Sequence, residues 1–264
     1  MADPIRVGVL GAGGRMGAEV CRTVVADPEL ELVAAIDPGR AGEALAAVAE
    51  VDSDLIVLPD LDALDGAAVD VAVDFTVVEA ARANAAVCAD RGIHVVIGTS
   101  GFGADAVDDL RGRFTSSNCL VVANFAIGAV LMMRFAELAA PWFETAEIIE
   151  LHHDDKVDSP SGTATATAER MAAASGDWAD DPTETETIPG ARGASGPAGI
   201  PIHSIRMRGM VAHQEIVLGT TGQTLTLRHD SLDRTSFMPG VALAVKGVGR
   251  LSGVTVGLDT LLGG

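Results

Sequence analysis

A short apolar run, Ile5 to Leu10, leads directly into Gly11-Ala12-Gly13-Gly14-Arg15-Met16-Gly17. Met16, Val20 and Val24, with Cys21 and Val25 beside them, then recur at helical spacing. A strand that turns through glycines into an amphipathic helix is the opening of a βαβ unit. Bare glycines let backbone approach a bound pyrophosphate, and the helix directs its positive end at the same point. The run reads G-x-G-G-x-x-G rather than the common G-x-G-x-x-G, with its last glycine at Gly17. A second strand, 30–37, ends in Asp37, twenty positions past Gly17. A carboxylate there accepts from ribose hydroxyls and repels a 2′-phosphate. Arg40 lies close enough in sequence to soften that repulsion. The turn is therefore read as a dinucleotide site for NADH, with NADPH left open.

The alternation continues. Strands are predicted at 69–76, 94–99 and 119–125, and helices at 78–91 and 103–113. Strand–helix alternation of this kind builds right-handed crossovers and a parallel sheet. Near residue 127 the pattern changes. A helix at 127–140 precedes a strand at 146–152 and a helix at about 161–175. The Gly/Pro/Thr/Asp-rich stretch 176–200 reads as a long exposed loop of the kind that often serves as a lid. Antiparallel strands span 213–229, turning at Thr220-Thr221-Gly222-Gln223, and a last helix covers 237–251. The fold class is α/β: an N-terminal Rossmann-like parallel-sheet domain followed by a second α+β domain.

Composition excludes several partners. Against 37 Asp+Glu stand 18 Lys+Arg, a formal charge of −19. Nucleic acid and anionic membranes need clustered positive charge, so neither is expected as a partner. Aromatic residues are 3% of the chain and Tyr is absent, which leaves no base-stacking platform. Cys21, Cys88 and Cys119 are far apart and form no Cys-x-x-Cys pair. A low, odd count suits a reducing compartment. The N-terminus has no signal-peptide pattern, and acidic residues or glycines interrupt every apolar run. A cytoplasmic location is expected.

The densest chemistry lies in Glu150-Leu151-His152-His153-Asp154-Asp155-Lys156-Val157-Asp158-Ser159-Pro160-Ser161-Gly162-Thr163-Ala164. Adjacent histidines at an extended strand end face opposite ways and so serve different roles. Pro160 imposes a non-helical approach, and Ser161 can cap a helix starting near Gly162. The N–H groups of Gly162 and Thr163 at that helix end would receive a carboxylate. Lys156, an imidazole and a helix N-terminus together suit a small anionic substrate with a proton donor beside it. The plainer alternative is a solvated strand end in which Lys156 pairs with Asp154 or Asp155. His-His-x-x-Lys does not set two imidazoles on one helical face, so no metal is expected. His94, His203, His213 and His229 are read as structural or solvent-facing.

The stretch from Glu150 to Ala164 resembles the signature E-x-H-H-x-x-K-x-D-x-P-S-G-T-A of the 4-hydroxy-tetrahydrodipicolinate (dihydrodipicolinate) reductase family. The resemblance extends along essentially the whole chain. Gly11–Gly17, Asp74-Phe75-Thr76, Gly98-Thr99-Ser100-Gly101-Phe102 and Ala123-Asn124-Phe125-Ala126-Ile127-Gly128 support it. It implies an NAD(P)H-dependent oxidoreductase of lysine and diaminopimelate biosynthesis, acting on a small dicarboxylate. In that reaction the ring loses its 4-hydroxyl as water and accepts a hydride. It implies His152 as proton donor/acceptor and Lys156 as second proton donor, with His153, Gly162 and Thr163 on the substrate. Cofactor contacts fall on Gly11, Ala12, Gly13, Gly14, Arg15, Met16, Asp37, Gly98, Thr99, Ser100, Ala123, Asn124, Phe125 and Ala126. It further implies a dinucleotide-binding domain over 1–127, to which 237–264 returns. Residues 128–236 then form a substrate-binding domain that assembles a homotetramer.

Three positions depart from the family pattern. Ser100 stands where many members carry Thr. Asp155 replaces a third histidine and adds negative charge beside a dianion site. Pro38 follows the strand-two acid where many NADPH users carry Arg, which favours NADH. Two other readings compete. A semialdehyde-type dehydrogenase needs a nucleophilic cysteine, and Cys119 has no activating neighbour in sequence. A non-enzymatic NAD-binding sensor leaves Lys156 beside two histidines without a purpose.

Overall fold

The computed structural model describes residues 3–99 and 101–263, so Ser100 of the expected cofactor set lies outside the described residues. In chain order the main elements are β1 (Ile5–Leu10), α1 (Arg15–Ala26), β2 (Leu30–Ile36), α2 (Leu45–Ala49), α3 (Ala63–Ala67), β3 (Val71–Asp74) and α4 (Val78–Asp90). Then come β4 (His94–Ile97), α5 (Ala104–Arg111), β5 (Cys119–Val121), α6 (Ile127–Ala139), β6 (Thr145–His152) and α7 (Gly162–Ala174). The chain closes with β7 (Ala194–Ser195), β8 (Pro201–Arg206), β9 (Ala212–Thr220), β10 (Gln223–Ser231), α8 (Met238–Val248) and β11 (Val254–Val256).

The chain divides into two compact units, one running to Phe125 and resuming at Phe237, the other Ala126–Ser236. The first holds a six-stranded sheet in the order β11-β5-β4-β3-β1-β2, parallel throughout. Its central strands are buried on both faces, as in a sheet covered on both sides; all four residues of β3 are buried, Val71, Ala72 and Val73 with Asp74 at the strand's end. Between β1 and β3 the strand order reverses. Ligands of open parallel sheets bind at such a crevice beyond the carboxyl ends of the strands. This is the expected Rossmann-like domain. β3, β4 and β5 end before the sequence runs that suggested them, because the chain leaves the sheet at Asp74, Ile97 and Val121 to form loops at that edge.

The second unit holds a five-stranded sheet, β10-β9-β6-β8-β7. β6 pairs in parallel with β8 and antiparallel with β9. β6 alternates: Ala146, Ile148 and Glu150 are buried. Ala146 and Ile148 pack with Met132, Ala136, Ala164, Ala168 and Met171 of α6 and α7. β9 and β10 meet through a two-residue turn at Thr221-Gly222, where Gly222 takes a φ of 80° that suits glycine.

β8 and β11 fall in stretches to which the sequence analysis assigned no element. β8 pairs with distant β6, and the three-residue β11 forms the outer edge of its sheet against distant β5. The stretch 176–200 is largely exposed and carries only β7 and a 3-10 turn at Pro197–Gly199. Its start is pinned: Ala179 N–H donates to the Glu144 carbonyl at 2.8 Å, and Trp178 Nε1 donates to the Ser175 carbonyl at 2.9 Å.

Candidate active site

At the carboxyl edge of the parallel sheet the site is made mostly of backbone. Gly11 sits at φ 80°, and a Cβ there would lie 2.9 Å from the Phe75 carbonyl oxygen of the loop after β3. At Gly17 a Cβ would lie 2.0 Å from the Gly11 carbonyl oxygen, so α1 can pack on its own entry turn only without a side chain. Gly14 is the N-cap of α1, and no acidic residue occupies the first turn. The free end of the helix is thus electrostatically ready for phosphate. Asp37 accepts from the Gly13 and Gly39 N–H groups, both at 2.9 Å, and so faces the glycine turn. The Arg40 chain crosses Gly13, with its guanidinium 3.1 Å from Glu43. These features fit a dinucleotide: bare backbone for the pyrophosphate and an acid for the ribose.

The loops at 74–76 and 98–99 are tied by one buried carboxylate. Asp74 accepts from Thr76 N–H at 2.9 Å, Thr76 Oγ1 at 2.6 Å, Asn84 Nδ2 at 2.8 Å and Thr99 Oγ1 at 3.2 Å. Phe125 is buried and its ring centroid stands 5.5 Å from that of Phe75. Gly98, Thr99, Ala123, Asn124 and Phe125 therefore follow strands that end at the same edge as Gly11 to Met16. Ala126 N-caps α6, at the start of the second unit.

The second site is made of side chains. β6 ends at His152, whose Nδ1 lies 2.5 Å from Oε2 of Glu150, two residues back on the same face. Glu150 is fully buried. Arg206 of β8 grips it in parallel, Nη1 to Oε2 at 2.9 Å and Nη2 to Oε1 at 2.8 Å. The Ser161 N–H donates to Oε1 at 3.2 Å, while the Ser161 hydroxyl accepts from Ala164 N–H and caps α7. Burial opposes the charge of Glu150, but hydrogen bonds from Arg206, Ser204 and His152 outweigh it and hold the carboxyl below its usual range. Burial lowers the His152 pKa; Glu150 opposes this, while Lys156 and Arg206 add to it.

His153 leaves the strand and is exposed. The chain turns at Asp154-Asp155, and Lys156 pairs with neither acid named in the plainer alternative: its Nζ meets Asp158 Oδ1 and Oδ2 at 2.7 and 2.6 Å. Asp154 instead binds Arg208 at 2.8 Å. Gly162 and Thr163 open α7 as expected, and helix geometry directs their N–H groups outward from its end.

Sequence reasoning did not single out Glu150 and Arg206, the pair that ties this cluster together. Glu150 had a signal: an acid at the third inward position of a strand whose first two are Ala146 and Ile148 is buried and needs a partner. Arg206 had none, since β8 was not foreseen. Three of the other four histidines have structural bonds: His94 Nδ1 accepts from Asn118 N–H at 3.0 Å, and His203 and His213 pair with Glu147 and Asp230. Burial pushes the thiols of Cys21, Cys88 and Cys119 up to about 12, which removes the nucleophile of the semialdehyde-type reading. Among the described residues no group of three His, Cys, Asp or Glu is placed to hold a metal, and no helix is long and apolar enough to cross a membrane.

A doubly wound domain with a glycine phosphate turn, and a second unit presenting imidazole, ammonium and a helix end, define a nicotinamide-dependent oxidoreductase. Known proteins agree. Residues 5–125 match the family described as dihydrodipicolinate reductase, N-terminus, and residues 128–262 match its C-terminus. A curated 4-hydroxy-tetrahydrodipicolinate reductase from Mycobacterium marinum is 46% identical, covering 98% of this chain and 99% of its own. The Nocardia farcinica protein of the same name is also 46% identical over 98% of both. The solved structure of dipicolinate-bound dihydrodipicolinate reductase from Paenisporosarcina sp. TG-14 superposes with a TM-score of 0.85 at 39% identity, covering 97% of this chain and 99% of that one. An amine dehydrogenase from Mycobacterium smegmatis, at 15% identity and a TM-score of 0.67, shares the fold alone. This chain belongs to the dihydrodipicolinate reductase family, and its Rossmann-type domain serves NAD(P)H.

Proposed function

We propose that this protein reduces 4-hydroxy-tetrahydrodipicolinate to tetrahydrodipicolinate with loss of water, in lysine and diaminopimelate biosynthesis in the cytoplasm. The observation that carries the reading is the cluster of His152, Lys156 and the capped start of α7, organised around buried Glu150. NAD(P)H, when bound, supplies the hydride. Gly11 to Met16 would hold its pyrophosphate and Asp37 its ribose, with Gly98, Thr99, Ser100 and Ala123 to Ala126 as the remaining cofactor contacts.

The chain's own residues bind and move protons. His153 and the N–H groups of Gly162 and Thr163 take a substrate carboxylate. Lys156 exchanges Asp158 for the substrate: a carboxylate on the ring offers the same pair of oxygens to the ammonium. Departure of the 4-hydroxyl as water leaves a conjugated imine. Hydride addition to it leaves an electron-rich enamine that requires one proton. His152 is the donor/acceptor for that proton and Lys156 the second donor. The sensor alternative gives this proton-handling cluster no task.

Asp37 favours NADH used at least as well as NADPH. The family resemblance implies a homotetramer assembled through the second unit. The test is oxidation of NADH and NADPH with freshly generated substrate, with and without dipicolinate, the planar dicarboxylate that the Paenisporosarcina enzyme binds. Turnover with competitive inhibition is expected, weakening as salt screens the cationic site. Cofactor binding without turnover would leave the sensor reading standing.

A further inference from the structure

The signature names His152 and Lys156, but the buried group at the centre of the cluster is Glu150. One carboxylate joins four parts of the unit: Arg206 of β8, the Ser161 N-cap of α7, its own strand β6 and the His152 ring. We infer that Glu150, clamped by Arg206, is the positioning residue for proton transfer: it fixes the His152 ring with its proton on Nδ1 and leaves Nε2 as the exchanging nitrogen. This deepens the reductase reading and rests on it.

The argument is one of hydrogen-bond inventory. An ionised carboxylate only accepts, so the Nδ1 that it meets at 2.5 Å must donate. A neutral imidazole carries one ring proton, so Nε2 is then bare and can take a proton; in the imidazolium, Nε2–H can give one. Ring orientation is fixed at the same time, since Nδ1 and Nε2 lie on opposite sides of the ring.

Arg206 has a separate task. A buried, unpaired carboxylate 2.5 Å from an imidazole would hold it as a cation and suppress proton release. The bidentate guanidinium already neutralises Glu150, so the carboxylate keeps its directing hydrogen bond without trapping the proton. The charged groups that bear on the ring are Glu150 of its own strand, Arg206 of β8 and Lys156 of the next loop. Because Ser161 shares the same carboxylate, the histidine and the helix end that receives the substrate have a common anchor.

The tests combine a spectroscopic and a kinetic readout. In nitrogen-15 histidine-labelled protein, His152 should show the Nδ1–H tautomer at neutral pH, and Glu150→Gln should lose that bias. A dominant Nε2–H tautomer in the unmutated protein overturns the inference, whether or not any variant folds. Kinetically, Glu150→Gln should lower kcat by roughly 10–100-fold, the range for residues supporting a functional group, with substrate KM and NADH binding little changed. In a His152→Ala background the same substitution should cost nothing more. An equal further loss there would make Glu150 a general structural staple and refute the role. Glu150→Gln with Arg206→Gln removes both charges together; recovered thermal stability with kcat still low supports positioning, whereas recovery of both refutes it. If His152→Ala itself keeps normal kcat, the acid–base reading of His152 fails, while the tautomer measurement still decides what Glu150 does.

Discussion

The two sites solve opposite problems. The dinucleotide site needs side chains removed: Gly11 and Gly17 have no room for a Cβ because other backbone already fills the space. The histidine–lysine site needs side chains held, and does so with buried Glu150 clamped by half-buried Arg206. A site made by removal is rigid and unforgiving of added atoms. A site made by buried charge is unforgiving of a missing partner, because the survivor is left uncompensated.

Substitutions should separate the two. The largest effect is expected at Gly17. Gly17→Val must push α1 away from the Gly11 carbonyl, costing about 3 kcal/mol of stability by overpacking and abolishing NADH binding, as read by thermal unfolding and calorimetry. If NADH still binds normally, the turn does not carry the pyrophosphate. Next come His152→Ala and Lys156→Ala, each expected to lower kcat by roughly 10²–10⁴-fold while NADH affinity stays within about twofold. Lys156→Ala should also raise the substrate KM, and His153→Ala should act on KM alone. Normal turnover in both His152→Ala and Lys156→Ala would break the division between a binding unit and a chemical unit.

Asp37→Ala is expected to be milder, shifting the NADH/NADPH preference toward NADPH by about tenfold, or ~1.4 kcal/mol. A strong NADPH preference in the unmutated protein would contradict the role of Asp37 outright.

The smallest effects are pH dependences. Burial, Lys156 and Arg206 together hold His152 below its ordinary 6.5. A step that requires the imidazolium should therefore weaken as pH rises through that lowered value, moving the alkaline limb of kcat to the acid side of 6.5. Glu150 is also depressed, below 4.5. Its stabilisation is complete above the unfolded-state value and is lost as pH falls through the folded one. Unfolding of Glu150→Gln should accordingly vary less with pH in that acid range than unfolding of the unmutated protein.

What could be read without coordinates follows the range of the interactions involved. The glycine turn, Asp37, the alternating strands and helices and the capped start of α7 are local patterns. Each is dictated by residues within about one element of one another, where backbone sterics and capping act. So the Rossmann-like half and the positions of His152, Lys156 and Gly162 were legible in the chain alone. β8 and β11 were not, because they are paired with β6 and β5, strands far from them in sequence. With β8 hidden, Arg206 was hidden too, and Glu150 had a burial signal but no visible counter-charge. The pairing of Lys156 with Asp158 rather than with Asp154 or Asp155 was likewise decided by a turn at 154–155. Sequence by itself determined which chemical groups this protein carries and the local frames that hold them. Only the tertiary structure decided which charge is buried and which counter-charge meets it. A carboxylate loses its water only when strands distant in sequence close around it, and the neighbours that remain then set where its protons go.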